Sequence, residues 1–147
     1  MANVHDVAAF ILREKGPLSA MKLQKLVYYS QAWHLVWEER PLFPEAVQAW
    51  ANGPVVKALY DEHRGRFTIT SWPPGNPDAL DAGEAESVRA VLGYYGDRPA
   101  HELSELTHRE APWKNARKGL SAGQRGDRVI THAEMAEFYD GLTTADV

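Results

Sequence analysis

The chain has 147 residues, is 44 % apolar and carries a formal charge of −4, which is enough length for one domain with its own core. It has no cysteine, so disulfides, thiolate catalysis and structural zinc are excluded. The mild acidity gives no reason to expect nucleic acid; the N-terminal apolar run is too short for a signal peptide and no run approaches a membrane span, so a soluble cytoplasmic protein is the expectation.

In chain order, Asn3 caps a helix over about 4–15, with Val4, Val7, Ala8, Ile11 and Leu12 on one stripe, and Gly16-Pro17 stops it. Ser19 caps a second helix over about 20–38, "AMKLQKLVYYSQAWHLVWE". On a helical wheel this segment is apolar on two sides. Leu23, Leu26, Val27, Ser30, Trp33, His34 and Trp37 fall in one arc, and Met21, Tyr28, Ala32 and Leu35 fall nearly opposite. Gln24, Gln31 and Glu38 form a narrow polar strip between them. A helix apolar on two sides needs neighbours on two sides, so this one is the central pillar.

Val47 and Ala49 alternate with Gln48 and Trp50 as a short strand, and 67–70 reads as a second strand able to pair with it. Asn52-Gly53-Pro54 is a structural turn, with Pro54 set for the first position of a helix that ends at Gly65. "SWPPGNPDALDAG" is a rigid surface loop. Helices follow over about 83–95 (Val88, Val91, Leu92 and Tyr95 inward, Gly96 its C-cap) and through "RPAHELSELTHRE" (Leu103, Leu106 and Thr107 on one face). Pro112 starts a short helical turn, and Thr131 with Glu134 opens a last helix that buries Met135, Phe138 and Leu142. The fold class is mainly α: a compact single-domain helical bundle over 1–147 around the helix at 20–38, with at most a small two-stranded β ribbon.

The six histidines include no pair at the i, i+4 spacing of a zinc helix, so no metal and no cofactor are expected. P-loop, Rossmann and nucleophile-elbow patterns are missing, which argues against an enzyme. The basic stretch 113–128 sets Lys114, Arg117, Lys118, Arg125 and Arg128 against Asp127, without a nucleic-acid fold signature around it.

"KLQKLVYYSQAWHL", "RPLF" and "AWANGPVV", followed by "LSELTHREAPWKNAR", resemble the conserved blocks of the Panacea (SocA-type) antitoxin family, in that family's order from about Met21 to Lys118. The resemblance implies a helical domain that neutralises a cognate toxin protein, encoded by the adjacent gene, through direct protein–protein contact. One branch of the family also delivers its toxin to a protease, which gives an adaptor as the alternative. A small hydrolase using His34 or His108 with a nearby carboxylate is a third reading. Some relatives carry an N-terminal DNA-binding segment; about twenty residues precede the core motif here, too few for a helix-turn-helix. No membrane partner is expected.

Tyr and Trp are favoured interface anchors, so Tyr28, Tyr29, Trp37, Trp50, Tyr60 and Trp113 are the candidate toxin contacts, joined by Lys114 and Arg117. Lys22 and Lys25 are further candidates for steering an acidic toxin face. Packing competes with contact at each position. Trp113 could equally staple its segment to the core.

Overall fold

A computed structural model describes residues 1–145, with side chains through 143. Seven α-helices occur among the described residues: α1 (Val4–Lys15), α2 (Ala20–Glu38), α3 (Lys57–His63), α4 (Ala82–Tyr95), α5 (Ala100–Arg109), α6 (Ala111–Ala116) and α7 (His132–Ala145). Five short strands accompany them: β1 (Leu18–Ser19), β2 (Val47–Trp50), β3 (Gly53–Val56), β4 (Thr68–Ile69) and β5 (Val129–Ile130).

The caps lie where short polar side chains can serve the first turn. The Asn3 side chain accepts from Asp6 N, Ser19 Oγ from Lys22 N and Asp81 from Glu84 N. Thr131 Oγ1 accepts from Glu134 N, which supplies the expected half of a capping box at α7.

The pillar is α2. It packs against α1, α4, α5, α7 and β3, and every residue from Leu23 to Gln31 is buried. Its ends emerge, with Met21 40 % and Trp37 46 % exposed. α1 is buried more widely than one stripe, because Ala9 and Phe10 are also enclosed. The stripes expected on α4 and α5 face inward, with Leu106 half-buried. On α7 the expectation is corrected: Met135 is buried and Phe138 half-buried, but Leu142 is exposed and Tyr139 fills the core. Tyr139 lies four residues after Met135, one helical turn on, and its hydroxyl has a partner inside.

The polar strip of α2 is not solvated. Gln24 Oε1 accepts from Val56 N at 2.9 Å, and its Nε2 donates to Val56 O at 3.1 Å. Two turns on, Gln31 Oε1 accepts from Leu42 N at 2.7 Å and its Nε2 donates to Phe43 O at 2.8 Å. Each amide thus satisfies one N–H and one C=O of a backbone segment packed against the helix.

A small two-stranded ribbon is present, as expected, but differently paired, and a three-stranded sheet occurs with it. One sheet has the order β3-β2-β5; β4 pairs instead with β1, with Leu18 opposite Ile69 and Ser19 opposite Thr68. The expected pairing of 47–50 with 67–70 fails because both sides of β2 are taken, by β3 and by β5. The alternation in β2 holds, with Val47 and Ala49 buried and Gln48 and Trp50 half-buried.

Gly53 and Pro54 also depart from expectation. They belong to β3, opposite Trp50 and Ala49, and the helix starts three residues later at Lys57. Gln24 holds Val56 extended, which delays the helix. Gly53 has φ +120°, and an added Cβ would lie 2.7 Å from Lys25 Cε, so both conformation and space demand glycine. The loop after β4 is anchored rather than free on the surface. Trp72 is buried and its Nε1 donates to His5 Nδ1, while Asn76 N donates to Asp6 Oδ1.

Candidate functional site

The candidate contact residues separate into a core group, a supporting group, an exposed end and a cleft. Tyr28 and Tyr29 are 1 % and 0 % exposed. As toxin contacts they are therefore corrected: both rings lie in the core and neither lines the cleft, so a partner cannot reach them on the folded chain. They form an aromatic cluster with Tyr139, and Tyr29 stacks on Tyr95 at 4.0 Å between ring centroids.

Glu110 closes this cluster. Tyr29 OH donates to its Oε1 at 2.7 Å and Tyr139 OH donates to the same oxygen at 2.8 Å. Because the Tyr139 proton is used there, Tyr28 OH must be the donor across its 3.0 Å contact with Tyr139 OH. Burial raises the Glu110 carboxyl above its ordinary range, and the two phenol bonds pull only partly the other way. The folded chain therefore binds this proton more tightly than the unfolded chain does. The associated stability is present below the unfolded carboxylate value and is lost as pH rises through the folded one. Glu110→Gln keeps the acceptor oxygen but cannot ionise. Across pH 4 to 7, urea midpoints are expected to fall for wild type relative to Glu110→Gln.

Trp113 and Arg117 support the hairpin from behind. Trp113 Nε1 donates to Trp50 O at 2.7 Å, and Arg117 Nη1 donates to Ala49 O at 3.0 Å. Ser104 Oγ adds a bond to Asn52 O at 2.7 Å. The half-buried Trp113 ring stacks on His108 at 4.2 Å and carries the Arg117 guanidinium at 5.3 Å, so it staples its segment to the fold. Arg117 is 6 % exposed and also donates to Gln124 O. This corrects its reading as a surface steering charge. Lys114 stays exposed.

Trp37 stands at the other end of α2 from Met21, sixteen residues or about 24 Å along the axis, where it stacks on Trp33. It cannot share a small site with the hairpin aromatics.

Trp50 and Tyr60 do come together, in an edge contact at 4.8 Å. They line an open cleft of about 790 Å³ between the first half of α2, the β2–β3 hairpin, α3 and the loop at 125–127. Gln24, Lys25 and His63 also line it. The Gln24 amide is oriented by Val56, so its Nε2 also faces His63 Nε2 at 3.1 Å and makes that nitrogen the acceptor. Burial lowers the His63 pKa, in keeping with a neutral ring.

Lys25, which the sequence suggests as a steering charge, is only 2 % exposed. Its Nζ donates to Pro54 O at 3.1 Å, and burial pushes the ammonium down to about 7. A buried lysine on a helix otherwise rich in apolar residues has no signature in periodicity, so sequence reasoning missed it.

His34 and His108, the histidines of the hydrolase reading, lie apart. His34 Nδ1 is 2.8 Å from Ser87 Oγ, whereas His108 packs on Trp113. Ser87 rather than a carboxylate is the hydrogen-bond partner of the His34 ring among the described residues. Among the described residues, no group of three or more histidine or carboxylate side chains could hold a metal. No helix there is long and apolar enough to cross a membrane.

Fold and cleft together define a mainly helical domain with a small sheet flanking a cation-bearing groove. More particularly, the chain belongs to the SocA-like antitoxin family and carries its Panacea domain, whose profile matches residues 23–114, more than half of the chain. No curated protein and no solved structure matches it.

Proposed function

We propose that this protein is an antitoxin that binds a cognate toxin protein directly and holds it inactive, without catalysis of its own. The observation that carries the reading is the family match over 23–114, which includes most of α2, the β2–β3 hairpin and α3, three of the elements that line the cleft. Among the aromatics singled out from the sequence, Trp50 and Tyr60 are half-buried beside the cleft and suited to contact. An interface of roughly 800 Å² per partner with a few buried anchors supplies nanomolar affinity, on the order of −12 kcal/mol.

The test is to express the adjacent open reading frame alone and together with this protein. Growth arrest by the neighbour alone, relieved on co-expression, is the expected result. A harmless neighbour, or arrest that persists with soluble antitoxin present, would overturn the proposal. A shortened toxin half-life during rescue would move the mechanism to delivery to a protease, the alternative that the resemblance leaves open.

A further inference from the structure

Lys25 poses an unanswered electrostatic question. None of the ion pairs among the described residues includes it, and its ammonium donates to one backbone carbonyl, that of Pro54. An ammonium taken out of water without a counter-ion is expensive, and retaining one calls for a reason. The cleft around it is cationic although the whole chain is acidic. Lys25, Lys57, Arg64 and Arg125 line it against Asp61 and Asp127, and Lys57 is already paired with Asp61 at 3.0 Å. Trp50 and Tyr60 add an apolar shelf beside these charges. A groove of about 790 Å³ has room for one extended segment.

We infer that the cleft receives an acidic peptide segment of the partner protein, and that an aspartate or glutamate side chain on that segment becomes the counter-ion of Lys25. The inference rests on the antitoxin reading only for the owner of the segment, the toxin.

Two helices and a loop bring titratable or charged groups near Lys25. His63 comes from α3 with Lys57, Asp61 and Arg64, His108 from α5, and Arg125 and Asp127 from the loop. Burial lowers both histidines below their ordinary value, so neither titrates between pH 7 and 9. Lys25 does titrate there, because its free value is about 7 and a bound carboxylate would raise it. Binding then takes up a proton, and affinity falls with rising pH in this window.

The experiment pans a phage library of random heptapeptides on the immobilised full-length chain and measures the winners by calorimetry. Enrichment in Asp or Glu is expected, together with an affinity that falls up to about tenfold per pH unit above 7. Lys25→Met, which keeps the stem and removes the charge, should lose at least tenfold and become insensitive to pH. Arg125→Glu, on the exposed loop, should weaken binding several-fold. Winners without acidic residues, or equal binding by wild type and Lys25→Met, would overturn the inference. If Lys25→Met fails to fold, the wild-type pH slope and Arg125→Glu decide. Failure to relieve toxicity in cells would strike the antitoxin reading alone and leave the peptide result standing.

Discussion

Tyr139→Ala is expected to unfold a large fraction of the protein at 37 °C. The ring is fully buried, contacts Tyr28, Tyr29 and Trp33, and donates to Glu110. Removing a buried aromatic costs about 3–5 kcal/mol, against a total stability of roughly 5–15 kcal/mol. Two further groups suffer: Tyr28 OH loses its acceptor, and Glu110 is left with one phenol donor. Tyr139→Phe separates the two effects, because it keeps the volume and deletes only the hydroxyl, at about 1–3 kcal/mol. Urea denaturation of the pair checks this, and equal midpoints for the two variants would show that the cavity contributes nothing.

Gln31→Leu ranks second. Leucine has similar bulk and is apolar in an apolar place, yet a loss of roughly 2–6 kcal/mol is expected. Two buried backbone groups, Leu42 N–H and Phe43 C=O, lose their partner at about 1–3 kcal/mol each. Hydrogen exchange should show the Leu42 amide opening well before the α2 amides. A stability equal to wild type would mean that the 39–46 segment finds other partners.

The large-scale plan was legible in the sequence because it follows from periodicity and caps. Two opposed apolar arcs identified α2 as the pillar, and Asn3, Ser19 and Thr131 marked helix starts that the structure keeps. What escaped was decided by contacts between segments far apart in the chain. Gln24 and Gln31 looked like a polar strip, since composition cannot tell an amide facing water from one facing a backbone. Pro54 looked like a helix start because proline suits that position, but Gln24 keeps the chain extended through Val56. The candidate site was legible in part for the same reason. An aromatic is as useful inside as at an interface, so Tyr28 and Tyr29 went to the core while Trp50 and Tyr60 meet at the cleft. Arg117 read as a surface cation until the carbonyls of Ala49 and Gln124 were seen around it.

The side of β3 turned away from β2 has no group left to offer another chain. Val56 gives both its N–H and its C=O to Gln24, Pro54 has no N–H, and the Pro54 carbonyl is held by Lys25. An open sheet edge is a template on which a foreign strand can grow, and short or blocked edges are how natural sheets resist that. Here the blocking groups come from a helix, so the same side chains that position the hairpin also keep it from recruiting strands. Protection from self-association at this edge therefore comes with the packing of α2 itself. Gln24→Ala should expose it, appearing as faster aggregation on mild heating.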